Sequence, residues 1–533
     1  MVIRRSQRIE APDAIIIGGG HNGLVCAGYL ARGGLKVVVL ESRREVGGGA
    51  VTSLLGEGFK LSACAHLMTG FDPDVARDLK LARQGFKLTD KGLSTIGLAR
   101  DGRHLFIGAD MARMKRALGA HSTSDAEPFE GIWKTFGRLA DVIRPLIDAP
   151  PPLPDDIDDH VSPLLRLIDR KLDHLKADER RLFHEIAPMS ICDLVEKSFE
   201  TDALKGLLAA LACLGHGVDP RAPGTAFLFL LRLAFEERNG RVLVESPRGG
   251  LGALTQALAE AAKAQGADVR TNARVTGIEL DDGRAVGVTL DTGERLRARA
   301  IISNVDPKTT FLSLLPQPAL DTGFRRRLSR YRLKGTAAKI NLALRTLPSF
   351  TGLTSEDMAG RLIVAPSLAY VQNAYGALSR GAASEAPMME IVVPSIRDPS
   401  LAPNGRHVMS VVAQYVPYEP GGGDTAAKER FAAMVGETIA LYAPDIGDKI
   451  LDYEVLTPAD IETRFGLPGG DWHHGEMALD QMLWLRPAPG AANYTTPVGG
   501  LYLCGAGTHP GGGVAGVSGR NCAKTVLERE RGK

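Results

Sequence analysis

Residue types that could do chemistry concentrate in two kinds of stretch. "HHGEMALDQMLWLRP" (473–487) is the only place where polar side chains of reactive type cluster, with a histidine pair followed by Glu476, Asp480 and Arg486. A histidine there could orient a substrate or shuttle a proton, with Asp480 and Arg486 as support. The glycine-rich stretches offer backbone rather than side-chain chemistry. "AIIIGGGHNGL" (14–24) sets Gly18, Gly20 and Gly23 in G-x-G-x-x-G spacing, with Asn22 in the same loop, after a four-residue apolar run. The first glycine suits a tight turn, the second a close backbone approach to a pyrophosphate, and the third the packing of a helix on the strand.

The flanking elements must position that loop. Ala14–Ile17 reads as a buried parallel strand. Leu24, Ala27, Leu30 and Ala31 form one apolar helical face, and the helix N-terminus turns its free N–H groups toward an anion. A second strand, Val37–Leu40, ends at Glu41, where a carboxylate accepts both hydroxyls of a ribose. Glu41 opposes a 2′-phosphate, although Arg43 and Arg44 leave that choice open. Gly47–Gly49 follow, where flavoproteins of the glutathione-reductase type often carry a glycine pair over the FAD pyrophosphate. The pattern therefore predicts dinucleotide binding, and FAD as the dinucleotide.

Two later segments are organised in the same manner. In residues 247–303, Leu251, Leu254 and Leu258 share a helical stripe, and strands separated by turns at Asp282-Gly283 and Thr292-Gly293 follow, the last ending near Ser303-Asn304. "LYLCGAGTHPGGGVAGVSGRNCA" (501–523) runs from a strand (501–504) through Gly505 and a glycine-rich loop into a helix expected near 514–528. A glycine-lined helix start of this kind can hold a second polar part of a ligand, such as the pyrimidine edge of a flavin.

Composition narrows the function classes. The 533 residues carry 64 basic and 62 acidic side chains, a formal charge of +2, which gives no electrostatic reason to expect nucleic acid. The six cysteines are scattered with no C-x-x-C pair, as in a reducing, cytoplasmic compartment. No metal-ligand spacing is present, the only close histidines being the adjacent His473 and His474. The longest apolar run, "TAFLFLLRLAF" (225–235), falls well short of the roughly 20 residues a spanning helix needs. A cytoplasmic protein with peripheral membrane contact is the expectation. "RPLIDAPPPLPDDIDDH" (144–160) reads as a surface connection. The pattern from 161 to 236 is helical, with Leu207–Leu214 and Ala226–Phe235 as core helices or as the lining of a lipophilic tunnel.

The stretches "GGGHNGL", "VGGGAVTS", "RGGLGALTQAL", "IISNVDP", "FGLPGGDWHHGEMALDQMLWLRPAP" and "LYLCGAGTHPGGGVAGVSGRNCA" resemble the phytoene-dehydrogenase-like flavoproteins. Within them the likeness is nearest to the branch labelled pyridine nucleotide-disulphide oxidoreductase domain-containing protein 2, then to the O-type carotene ketolases. The resemblance implies an α/β fold: a Rossmann-type FAD-binding domain of the glutathione-reductase type, assembled from residues 1–65, 243–312 and 493–533. A mixed α+β substrate domain, 66–242 and 313–492, is inserted between them. It implies non-covalent FAD, with Gly18, Gly20, Gly23, Glu41, Gly47 and Gly48 on the ADP half and Val275 near the adenine. Gly505 and Gly512, Gly513 and Val514 fall near the isoalloxazine, His509 in the cofactor loop. His474, rather than His473, takes the place of the family's His-Gly step.

One departure stands out: many relatives follow the glycine pair with arginine, whereas Gly49-Ala50 follow here. Disulphide reductase activity is excluded, since no redox-active cysteine pair exists. The implied function is an FAD-dependent oxidoreductase acting on a lipophilic, isoprenoid or polyene substrate by flavin hydride transfer, in desaturation, saturation or ketolation. Two alternatives stay open: an amine oxidase-like flavoenzyme, which needs an aromatic pair that Tyr494 and Tyr502 alone do not establish, and a non-catalytic interaction protein built around FAD. Electron acceptor and oligomeric state are not assigned by the sequence.

Overall fold

The computed structural model describes residues 11–89, 92–108, 110–151, 162–419 and 423–531. Five parallel strands form one sheet in the order Asp268–Arg270, Val37–Leu40, Ala14–Ile17, Ala300–Ser303, Leu501–Leu503. The inner strands are runs of isoleucine, valine and alanine buried on both faces, as a covered parallel sheet requires. Strands from three distant stretches of chain thus share one carboxyl edge, and the glycine loop lies on it.

Helix His21–Arg32 follows the first strand and packs between helices Leu251–Ala264 and Val517–Arg531. Its approach is close because glycines leave room. A Cβ on Gly23 would lie 2.3 Å from the Gly18 carbonyl oxygen, and one on Gly519 would lie 2.1 Å from that of Asn22. The C-terminal helix begins at Val517, three residues later than the pattern at 514 suggests, because Gly513 and Gly516 hold positive φ (121° and 75°). The turns at Asp282-Gly283 and Gly293 join an antiparallel meander, Val275–Asp281, Arg284–Leu290 and Arg295–Arg297.

A second, seven-stranded sheet runs Ile450–Leu456, Ala337–Leu344, His407–Gln414, Met389–Val392, Arg361–Val364, Thr95–Gly97, Leu105–Ile107. One face packs against helix Thr425–Ala440. The other packs against helices Phe129–Asp148, Asp202–Cys213 and Thr225–Glu236, whose leucines and phenylalanines make the largest apolar cluster. The stretch read as a surface connection is corrected in part: Arg144–Asp148 belong to helix Phe129–Asp148, with Pro145 inside it. The buried stripe Phe136, Leu139, Ile143 and Ile147 outweighs the amide hydrogen that Pro145 lacks. Residues 152–160 of that stretch lie outside the described residues. Among the described residues no helix is long and apolar enough to cross a membrane.

The glycine contact between the first and last helices yields a test. Gly519→Ala forces the Asn22 backbone and the C-terminal helix apart, so urea unfolding should show a loss of about 1–3 kcal/mol, with weaker FAD retention. Wild-type stability in this variant would mean the two helices can separate freely.

Candidate active site

One cavity of about 290 Å³ runs along the carboxyl edge of the parallel sheet and on under the second sheet. At one end its wall is backbone. Gly18, Gly20, Gly47 and Gly48 line it together with Asn22 and Glu41. A Cβ on Gly20 would come within 2.9 Å of Asn304 Nδ2, and one on Gly47 within 2.7 Å of Val51. These positions pack so closely against Asn304 and Val51 that they take no side chain, which leaves a wall of bare backbone. The Gly19 amide donates to Glu41 Oε2 (2.8 Å) and the Arg43 amide to Oε1 (2.9 Å), which aims the carboxylate along the loop. Asn22 is buried, and its Oδ1 accepts no hydrogen bond from the protein.

Asn304 escaped the sequence reading, and Arg43, read there only as a possible partner of a 2′-phosphate, takes a different place. Asn304, at the end of the Ala300–Ser303 strand, donates to the Gly18 carbonyl at 3.2 Å and ties the second segment to the loop. Arg43 reaches over to the Gly48 carbonyl at 2.7 Å and lines the cavity. It supplies a cation beside the glycine pair where an arginine is missing from the next position.

The middle of the cavity is closed by the last segment. Gly512, Gly513 and Val514 line it, and His21 Nε2 is 3.0 Å from the Gly513 carbonyl oxygen. Burial lowers His21 to about 4, so the ring is neutral. His474 also lines the wall, in a left-handed turn (φ 54°), with Nδ1 lacking a hydrogen-bond partner. His473 is present too, its ring 4.5 Å from that of His216, and both have unpartnered Nδ1 atoms. Burial holds His473 well below the ordinary range and takes His216 down to about 3.

The predicted residues do not all meet. Gly23 and Gly505 stand behind the wall, where a Cβ would strike the Gly18 and Asn304 carbonyl oxygens, at 2.3 and 2.7 Å. Val275 packs among the apolar side chains of the meander, off the cavity lining, while its neighbour Ala273 donates to the Glu41 carbonyl at 2.8 Å. Asp480 gives His474 no support: it is exposed and paired with Arg332 at 2.6 Å. Arg486 is fully buried and bonds to the carbonyls of His473, Gly475 and Ala506, so it holds the loop rather than facing the cavity. His509 turns to the Leu146 carbonyl on helix Phe129–Asp148, away from the lining. Tyr494 and Tyr502 pack behind the parallel sheet and frame nothing.

Beyond the glycine loops the cavity enters a chamber under helices Asp202–Cys213 and Thr225–Glu236. Leu214, Leu228, Leu231, Phe235, Val412 and Leu467 give it apolar walls. Its far side is charged. His66 Nε2 contacts Glu390 Oε2 at 2.8 Å, and His66 Nδ1 contacts Ser410 Oγ at 3.1 Å. Arg361 bonds both oxygens of Glu236, at 2.9 and 3.0 Å. Burial opposes the charge on Glu390, but the bond from His66 and the nearby Arg361 hold it at about 2. Burial brings the neighbouring Lys339 down to about 7. Among the described residues Cys64 is the one cysteine on the cavity wall, and burial pushes its thiol up to about 12.

The model of the flavin containing amine oxidoreductases matches residues 23–527. The chain belongs to that family. FAD is its cofactor, the protein is a flavin-dependent oxidoreductase, and the glycine cradle and the oriented Glu41 fit the ADP half. Relatives extend over nearly the whole chain. Pyridine nucleotide-disulfide oxidoreductase domain-containing protein 2 of Mus musculus is 36% identical, over 97% of this chain and 93% of its own length. One of the polypeptides of the limonene dehydrogenase of Castellaniella defragrans is 29% identical, over 98% and 95%. A neurosporene-forming phytoene desaturase of Rhodobacter capsulatus is 27% identical, over 95% and 92%. The solved structure of cyclohexylamine oxidase from Brevibacterium oxydans superposes with a TM-score of 0.59 at 17% identity, covering 98% of this chain and all of that one. At that identity the likeness concerns the mixed α/β fold alone.

Two outcomes follow. Glu41→Gln should weaken FAD about tenfold to a hundredfold, the worth of a charged hydrogen bond, in a titration of the apoprotein; unchanged affinity would remove Glu41 from the site. Buried neutral His21, His216 and His509, lowered to about 4, 3 and 4 from 6.5, take up protons only on unfolding. The stability they contribute above pH 6.5 is lost as pH falls toward 4. Asp471, pushed up to about 6 by burial, works in the opposite direction, as do Asp148, Glu237 and Glu245, while His66, His473 and His474, also lowered by burial, add to the three. Urea midpoints should therefore fall between pH 6.5 and 4, and a flat profile would contradict the neutral burial of these rings.

Proposed function

We propose that the chain is an FAD-dependent oxidoreductase of the phytoene-dehydrogenase-like kind, acting on a lipophilic isoprenoid or polyene substrate. Its FAD-binding part is of the glutathione-reductase type, with FAD held non-covalently by Gly18, Gly20, Asn22, Glu41, Gly47 and Gly48, and by Gly512–Val514 at the flavin end. The observation that carries the substrate reading is the chamber walled by Leu214, Leu228, Leu231 and Phe235, continuous with the glycine-lined groove. Such walls gain about 25 cal/mol for each Å² of apolar ligand surface they cover. Relatives named for limonene and phytoene substrates, matched over nearly the whole chain, support the same reading.

When bound, FAD accepts a hydride from a carbon–hydrogen bond. The protein's own residues orient and enclose. The leucine helices hold hydrocarbon against the groove and exclude water. His474 and His473, neutral and with Nδ1 atoms that no described residue bonds, can hydrogen-bond a ligand at the flavin end. A substrate of this type partitions into bilayers, so peripheral membrane contact belongs to this reading. Leu479, exposed and packed by Gly224 at the start of helix Thr225–Glu236, offers a point of contact.

Anaerobic addition of liposomes loaded with mixed isoprenoids should bleach the bound flavin, while empty liposomes and the diamine putrescine leave it oxidised. Bleaching by the amine and not by the isoprenoids would reverse the assignment in favour of amine oxidation.

A further inference from the structure

The chamber is not apolar throughout. Its apolar walls end at four ionisable side chains that line the cavity: His66, Arg232, Glu236 and Glu390. Three of them have their main polar groups engaged. Glu236 Oε1 accepts from Arg232 Nε (2.7 Å) and Arg361, and Oε2 from Arg361 again. Arg232 also donates to the Leu211 carbonyl at 3.0 Å. His66 uses both ring nitrogens, on Glu390 and Ser410.

Glu390 is left incomplete. It is 5% exposed, and among the described residues none donates a hydrogen bond to its Oε1. The nearest cation, Arg361 Nε, lies 3.5 Å away and donates instead to Thr95 Oγ1 at 3.0 Å. A carboxylate oxygen removed from water without a donor is costly, and native proteins rarely leave one so. Glu390 lines the cavity, so a small turn of its carboxylate would let a ligand supply the donor.

Charge decides between an ammonium and a hydroxyl. Arg361 and Arg232 stand beside the site, and Lys339 Nζ is 3.5 Å from His66 Nδ1. Arg361 and Arg232 already offset the carboxylates of Glu236 and Glu390, so an added ammonium would be an unbalanced charge beside Lys339 in a low-dielectric wall. A neutral hydroxyl meets no such opposition, and its carbon skeleton fits the leucine walls. We infer that Glu390 is the polar anchor of the substrate chamber, accepting a hydrogen bond from the hydroxyl of an otherwise apolar alcohol and so selecting an isoprenoid alcohol over the hydrocarbon of the same skeleton. The inference rests on the lipophilic reading above and adds the substrate's polar end.

The test uses the FAD-loaded protein, titrated with geraniol, with the hydrocarbon in which hydrogen replaces its hydroxyl, and with geranylamine. Perturbation of the oxidised flavin spectrum reports binding. Geraniol should bind at least about tenfold more tightly than the hydrocarbon, as a hydrogen bond to a charged group implies, and more tightly than the amine. In Glu390→Gln the advantage of the alcohol should fall to about threefold or less, while unchanged hydrocarbon affinity shows the chamber intact. Equal binding of alcohol and hydrocarbon by the wild type would overturn the anchor and leave the lipophilic reading standing. A preference for the amine, or E390Q weakening both ligands equally, would also overturn it. Loss of FAD from E390Q with no alcohol preference in the wild type would assign the missing donor to the cofactor. If neither geraniol nor its hydrocarbon binds, the lipophilic reading falls and the anchor with it.

Discussion

The hydrogen bond from the Gly19 amide to Glu41 Oε2, 2.8 Å long across the ends of two parallel strands, is the constraint on which the rest depends. It fixes a loop of bare backbone against a carboxylate, and both must stay open to a ligand. That arrangement exists only if helix His21–Arg32 sits almost in contact with its own strand, which Gly23 permits. Asn304 and Gly519 then bring in two other parts of the chain, each through a contact that leaves no room for adjustment. The parallel sheet is thus the meeting place of segments hundreds of residues apart. Arg520 pairs with buried Asp72 and half-buried Asp148 and clamps the same junction from the helical side.

The second constraint is the mixture of apolar and charged surface in the chamber. Leucines and a phenylalanine exclude water from a space that is also lined by His66, Arg232, Glu236 and Glu390. Exclusion of water strengthens every interaction among these charges and makes an unfilled acceptor expensive. A network of this kind sharply restricts what the chamber can receive. The glycine-lined groove is different in character: it offers a ligand backbone geometry and one carboxylate.

The sequence disclosed these two regions unequally, for a physical reason. A glycine loop works through local backbone conformation, so the spacing of Gly18, Gly20 and Gly23 and the run to Glu41 carry its whole geometry. The inner parallel strands were equally legible, since burial on both faces leaves mostly apolar residues, whereas the edge strand Asp268–Arg270, with two charges, was not read. The chamber is assembled by pairings between distant strands, which no local spacing records. One signal was present: Lys339 in "AAKINLAL", Arg361 in "RLIVA" and Glu390 in "MMEIVV" each interrupt an apolar strand with a charge. A charge in such a strand must find partners inside the protein. The reading of Asp480 as support for His474 failed because adjacency in a loop does not set direction; a salt bridge to Arg332 draws it to the surface. His66 was overlooked because its partners lie more than three hundred residues away.

A crystal structure of the FAD-bound protein tests the central claim most directly, that one cavity holds the cofactor along the sheet edge and presents its reactive end to the leucine-walled chamber. The ribose should lie on Glu41, the pyrophosphate over Gly18, Gly20 and Gly48, and the isoalloxazine against Gly512–Val514 with open space toward Leu228 and Glu390. An isoalloxazine directed away from helix Thr225–Glu236, or filling the chamber so that no substrate could enter, would contradict it.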